Sequence, residues 1–289
     1  MQQKILSKMT KGKGQTNTFA TPIWQVMGIV NMTPDSFYDG GRINGSVSQA
    51  YDFCAKLIDE GATILDIGGE STRPGSLSIS ADEEINRVVP LIEKLSHSFD
   101  IPLSIDTTKS VVARAAIEAG VVIVNDISAG RFDSAMPSVV AQHNVSVVLM
   151  HSRKRPVDMQ ESPHYKDSIS EVQQELLASV TRFTTQGVDP HAIILDPGIG
   201  FAKSVTDNIT LLAHTDALVS LGYPVLIGTS RKSFIGALTQ KESSDRLAGS
   251  LATIGETYRQ GATLFRVHDV AATVDYLKVL SAIVERSDS

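Results

Sequence analysis

The 289-residue sequence predicts a single-domain α/β chain folded as a (β/α)8 TIM barrel, and three observations lead there. A short β-branched run, an amphipathic helical stretch and a turn recur eight times along the chain. The β-branched runs are nearly continuous in apolar residues, as parallel strands covered on both faces are. No Gly-x-Gly-x-x-Gly follows the first run, which counts against the structural alternative, an open doubly wound sheet binding a dinucleotide. Eight such units with right-handed crossovers close naturally into a barrel.

Taken in order, the expected strands are 25–31 (QVMGIVN), 63–69 (TILDIGG), 103–107 (LSIDT) and 122–127 (VIVNDI). They continue with 146–151 (SVVLMH), 192–198 (AIILDPG), 224–230 (PVLIGTS) and 263–269 (TLFRVHD). Helix starts are signalled by Ser46 with Gln49, Ser80 with Glu83 and Ser168 with Glu171, each at capping-box spacing. Gly61, Gly120, Gly187, Gly222 and Gly261 stand where a helix should end in a left-handed residue before the next strand. Pro90, inside the second helical stretch, predicts a local kink.

Composition bounds the partners. A formal net charge of −6 argues against a nucleic-acid or anionic-membrane surface. Cys54 is the one cysteine, so no intrachain disulfide forms, and a reducing, cytoplasmic setting is expected. Its place in YDFCAKLI reads as a buried core thiol. No apolar run approaches the roughly 18 residues of a membrane span. Residues 1–20, with Lys4, Lys8, Lys11 and Lys13, read as a mobile tail without a secretion signal's apolar core, leaving 21–289 as the barrel domain.

Chemistry in a barrel gathers at the C-terminal ends of the strands, and here every strand ends in polar groups. These are Asn31; Asp66 and Glu70; Asp106; Asn125 and Asp126; His151; Asp196; Ser230, Arg231 and Lys232; and Arg266, His268 and Asp269. Turn-forming explains Asp126 and Glu70. Asp106, Asn125 and Asp196 are short acceptors suited to the N–H and NH2 edge of a small polar heterocycle, although Asn125 could instead tie barrel layers together. Arg73, Lys232, Arg266 and His268 are long or cationic groups on three different loops, suited to an anion such as phosphate or carboxylate. There is no catalytic triad and no His/Cys zinc cluster, and the other histidines read as ordinary. Residue chemistry alone therefore reaches a barrel enzyme that binds a polar heterocycle and an anion.

The motifs MGIVNMTPDSFYDGG, DIGGESTRPG, SIDT, VNDI, LMH, LDPGIGF, SRKSFIGAL and RVHD occur in this order over residues 27–269. As an ordered set they closely resemble the dihydropteroate synthases of folate biosynthesis. That resemblance implies a homodimeric, sulfonamide-targeted transferase joining 6-hydroxymethyl-7,8-dihydropterin pyrophosphate to p-aminobenzoate. Carried over by position, Asp106, Asn125, Met150, Asp196 and Lys232 would hold the pterin. Thr72, Arg73, Arg266 and His268 would receive the pyrophosphate, and Asn31 would ligate Mg2+. Phe37, Thr72, Pro74, Phe201, Ser230 and Lys232 would frame the p-aminobenzoate subsite. Asp106, Asp196, Lys232 and Asp35 would carry the catalytic electrostatics.

The chemistry suits this inventory. Once its charge is taken up, pyrophosphate can leave before attack, and two carboxylates would steady the delocalised pterin cation. An aryl amine needs no strong general base, so the missing triad is expected. Residues 33–41, stiffened by Pro34 and hinged at Gly40 and Gly41, read as a lid that keeps water out. One departure is GFAKS where many such enzymes read GFGKS; Ala202 fits unless that position needs a positive φ. A corrinoid methyltransferase with a similar barrel, a non-catalytic pterin-binding barrel and a sugar-phosphate barrel are the alternatives. None of them calls for the pterin acceptors, the STRPG loop, the SRK stretch and the anion groups together.

Overall fold

The computed structural model describes residues 24–33, 47–72, 75–155, 157 and 164–287. Eight parallel strands form one sheet in the order β6-β5-β4-β3-β2-β1-β8-β7. They are β1 (Gln25–Asn31), β2 (Ile64–Gly68), β3 (Leu103–Asp106), β4 (Ile123–Asp126), β5 (Ser146–Met150), β6 (Ile193–Asp196), β7 (Leu226–Ile227) and β8 (Leu264–Val267). A parallel bridge between Leu195 and Val225 joins the first and last members, so the sheet closes on itself as a barrel. All eight expected strands are present, mostly shorter than their apolar runs. Several polar residues at their C-terminal ends still pair, Asn31 with Gly68, Asp106 with Asn125 and Asp196 with Met150, whereas His151, Ser230 and His268 lie just past the strands.

The helices α1 (Val47–Asp59), α2 (Ala81–Ser98), α3 (Ser110–Glu118), α4 (Met136–His143) and α5 (Ser168–Thr185) alternate with the first six strands. The later crossovers use two helices each: α6 (Val205–Ala213) with α7 (Thr215–Val219), and α8 (Ser233–Thr239) with α9 (Leu247–Arg259), before α10 (Val270–Ser287). Ser80 caps α2 by accepting the Glu83 amide, as its spacing predicts. At α5 the cap lies one residue earlier than expected: Asp167 accepts the amides of Ile169 and Ser170, while Glu171 accepts those of Lys166 and Asp167. A carboxylate at Asp167 outcompetes the Ser168 hydroxyl for the same free amides. Ser46 lies outside the described residues. The helix α2 continues through Pro90; both Pro90 and Asn86 are exposed, so the carbonyl deprived of its amide faces solvent. The five glycines expected at helix ends all take positive φ, between 85° and 123°.

Inside the barrel a separate apolar layer forms from Met27, Ile64, Ile123, Val148, Ile194, Leu226 and Leu264, one from each strand except β3. At that level β3 presents the buried Ser104. The alternate residues, among them Val26, Leu65, Ile105, Val124, Val147, Leu195, Ile227 and Phe265, pack outward against the helices in the main core. The strands therefore alternate strictly between two buried environments, which is why their sequences read as unbroken apolar runs. Two residues beyond the apolar layer, on the same inward face, stand Asp66, Asp106, Asn125, Met150, Asp196 and Arg266. That one step of the strand period converts a dry core into a polar chamber. Cys54 is buried beneath α1, and burial pushes its thiol up to about 12, so it stays protonated.

Candidate active site

The chamber opens at the C-terminal ends of the strands as a cavity of about 570 Å³. Its lining includes Asn31 from β1, Thr72 after β2, Asp106, Asn125, Met150 and Asp196 from β3 to β6, Phe201, Ser230 and Lys232 from the following loops, and Arg266 and His268 from β8. The expected site residues among the described ones thus converge on one space. Asp35, Phe37, Arg73 and Pro74 lie outside the described residues.

The floor is an ionic network that binds distant parts of the chain. Arg266 donates from Nε to Asp66 Oδ2 at 2.6 Å and from Nη2 to Asp106 Oδ2 at 2.8 Å. Asn125 Nδ2 donates to the same Asp66 oxygen at 3.0 Å. Asn125 therefore ties barrel layers together and also lines the chamber. Asp66, fully buried, is the support that sequence reasoning listed as a polar strand end without assigning it to the site. The period-2 step from Ile64 was the signal that could have found it. Asp106 Oδ1 is buried and has no hydrogen-bond partner among the described residues.

Burial lifts Asp106 to about 7, against the pull of Arg266 and with help from the nearby Asp66, Glu84 and Asp126 charges. Burial likewise lifts Asp196 to about 6, opposed by the Gly198 amide that donates to Oδ1 and by Lys232 and Lys203. Lys232 is pushed down to about 8 by burial and by Arg266, and its ammonium lies 4.0 Å above the Phe201 ring. These carboxyls and this amine all titrate within reach of neutral pH, a pattern that collects at functional sites.

The anion groups behave differently from their sequence description. Arg266 is the counter-ion of two carboxylates rather than a free rim cation. His268 is pushed down to about 3 by burial and by Arg266 and Arg231, so it is a neutral imidazole and not a cation. Ser230 Oγ accepts the His268 amide at 3.1 Å and pairs with Nδ1 at 3.0 Å. A hydroxyl oxygen can accept a second hydrogen bond or donate its own proton, so this pair forms with either tautomer of the neutral ring. Arg231, in a left-handed backbone conformation, grips Asp269 with two bonds and turns Lys232 into the chamber.

Several polar strand ends serve the scaffold. Asp126 accepts from the Ser128 amide and hydroxyl and from the Gly130 amide. Glu70 accepts from Ser78, Ile79 and Lys109. His151 faces away from the cavity, between Lys203 and Glu175. Ala202 has φ 47°, so the position where alanine replaces the expected glycine does require left-handed backbone.

A barrel whose mouth gathers buried acceptors, an amine over an aromatic ring and neutral or paired anion donors defines an enzyme for a small heterocyclic substrate. The pattern of the pterin binding enzymes matches residues 27–268. A dihydropteroate synthase of Synechocystis sp. is 47% identical over 259 residues, covering 89% of each chain. The Xanthomonas albilineans dihydropteroate synthase solved with 4-aminobenzoic acid superimposes with TM-score 0.84 at 46% identity, covering 90% of this chain and 92% of that one. Its complex with 7,8-dihydropteroate superimposes with TM-score 0.80 at 44% identity, over 90% and 93%. The chain belongs to the pterin-binding enzymes and, within them, to the dihydropteroate synthase family.

Proposed function

We propose that this enzyme condenses 6-hydroxymethyl-7,8-dihydropterin pyrophosphate with p-aminobenzoate, giving 7,8-dihydropteroate and pyrophosphate through a dissociative displacement. The observation that carries this reading is the unpartnered, buried Asp106 Oδ1 beside Asn125 and Asp196 in the chamber. Two carboxyls that hold charge poorly by themselves call for a ligand bringing ring N–H and NH2 donors, and a pterin edge supplies them. Met150 and Lys232 complete that pocket, and the product complex of the X. albilineans relative supports it.

Asn31, at the end of β1, offers one hard amide oxygen to a metal. With that one protein ligand, Mg2+ would be carried chiefly on substrate phosphates and water. Bound there, Mg2+ would neutralise charge on the leaving pyrophosphate. Arg266 and the neutral His268, with Thr72 and Arg73, receive that anion as hydrogen-bond donors. The C–O bond breaks with its electron pair leaving on pyrophosphate. Asp106 and Asp196 then face a delocalised pterin cation, whose positive charge suits both carboxylates. The aryl amine, held against Phe201, Pro74, Ser230, Lys232, Thr72 and Phe37, attacks the methylene carbon. It forms the C–N bond and releases a proton to the departing pyrophosphate or solvent. Asp35 and Phe37 belong to the lid that excludes water. The enzyme acts as a cytoplasmic homodimer, with residues 1–20 a tail outside the 21–289 barrel domain.

Purified protein given both substrates and Mg2+ is expected to release pyrophosphate and form dihydropteroate; folded protein that makes no product overturns the reading. Asp106→Ala is expected to abolish pterin binding, whereas Asp35→Ala lowers turnover more than it weakens that binding.

A further inference from the structure

Lys203 is buried, yet it lies outside the cavity and binds no substrate in the reading above. Its ammonium meets four acceptors: His151 Nδ1 at 2.9 Å, the His151 carbonyl at 3.2 Å, and the carbonyls of Gly198 and Phe201 at 3.0 Å each. Because Nδ1 accepts, the proton of the neutral His151 ring sits on Nε2 and points to Glu175 Oε2, 2.9 Å away. Glu175 is held in turn by Arg153. Burial pushes Lys203 down to about 7 and His151 down to about 4. A lysine amine that donates whether or not it is charged thus faces the Glu175 carboxylate across a neutral imidazole, behind the β6–α6 loop.

That loop is built around left-handed backbone. Gly198, Gly200 and Ala202 alternate at φ 67°, 82° and 47°. The carbonyls of Gly198 and Phe201 turn toward Lys203, and the Ala202 carbonyl accepts from Tyr165 at 3.0 Å, so the outer side of the loop is pinned at three points. The inner side carries Phe201, packed on Ile127 and Met150 with the Lys232 ammonium over its ring. Gly200 lies so close that an added Cβ would come within 3.1 Å of Lys232 Cδ. Moving the carbonyls would move the ring and the amine together.

We propose that Lys203, held by His151 and Glu175, is the positioning residue of the aryl-amine subsite: it gathers the loop carbonyls and so sets where the Phe201 ring stands. This rests on the reading of Phe201 as a wall for p-aminobenzoate. Asp196 feels the Lys203 charge, but less than it feels the Gly198 amide bond and Lys232, both of which it keeps, so the pterin side is affected less.

The test varies both substrates in steady state and measures pterin pyrophosphate binding at equilibrium. Lys203→Met keeps length and removes the donors; Glu175→Gln, on a half-exposed side chain, removes only the remote charge. Lys203→Met is expected to raise KM for p-aminobenzoate about tenfold while kcat and pterin affinity change less than about threefold. Glu175→Gln should shift the same constant by about two- to threefold, and it decides the matter if Lys203→Met does not fold. Equal shifts for both substrates, or an unmoved p-aminobenzoate KM, overturn the inference. Phe201→Ala separates the two claims. If it leaves that KM unchanged, the subsite reading itself fails; if it raises KM while both other variants do not, only the role of Lys203 falls.

Discussion

Replacing Asp66 by Asn tests the buried network from beneath, at a residue that touches no substrate in the proposed arrangement. Asp66 Oδ2 accepts from Arg266 and Asn125, and Oδ1 is buried without a partner among the described residues. Asparagine keeps the shape but puts an NH2 where nothing accepts from it, which costs about 1–3 kcal/mol of stability. It also removes one of two like charges sharing the Arg266 guanidinium. At an effective dielectric near 20 such a repulsion is worth about 2–3 kcal/mol, or up to ~2 pK units on the remaining carboxyl. Asp106, raised to about 7 chiefly by burial and in part by Asp66, should therefore titrate lower in the variant.

The sign of the stability effect follows from the same carboxyl. The folded protein binds a proton at Asp106 between its unfolded value of about 3.9 and its folded value, so stability falls as pH rises through that window. Asp66→Asn should flatten this fall. The acid limb of kcat/KM for the pterin substrate, which reports ionisation of the free enzyme, should move down by about one unit or more. Comparing variant with parent under identical conditions cancels the substrate's own ionisations. An acid limb that stays in place, or moves up, in a folded variant refutes the electrostatic account of the chamber.

Three further outcomes are expected. Gly198→Ala would set a Cβ 1.9 Å from the His151 carbonyl oxygen at a residue with φ 67°; chemical denaturation should show a loss above about 3 kcal/mol. Ala202→Gly relieves about 1–2 kcal/mol of left-handed strain but gives up a buried methyl and adds unfolded-chain entropy of similar total size. Its melting temperature should thus stay within about 2 °C of the parent, and a larger shift would show that the opposing effects are misjudged. Ser80→Ala removes the cap of α2 and should lower stability by about 1 kcal/mol with turnover unchanged.

Much of the architecture was legible in local pattern. The eight strands, the left-handed glycines after the helices and the Ser80 cap each depend on a few neighbouring residues, and each stands where that chemistry puts it. The cap of α5 slipped by one residue because Asp167 and Ser168 both suit the position. In the site, the acceptors Asp106, Asn125 and Asp196 and the amine Lys232 were legible as strand-end polar residues. Asp66 shares their inward parity and could have been grouped with them, whereas His151, one residue past the inward-facing Met150, has the opposite parity. One lies beneath the chamber and the other turns its back on it.

The sequence by itself determined the repeat, and with it the closed barrel and the end at which chemistry collects. A short apolar run of period two and a helix of period 3.6 leave that mark in any context. Tertiary structure alone decided what each polar group does. Arg266 became a counter-ion because Asp66 and Asp106, 200 and 160 residues away in sequence, stand on the inner wall. His268 became a neutral imidazole because burial and two neighbouring arginines oppose its charge. A side chain's charge and direction depend on partners brought together by barrel closure, and no stretch of neighbouring residues encodes those partners.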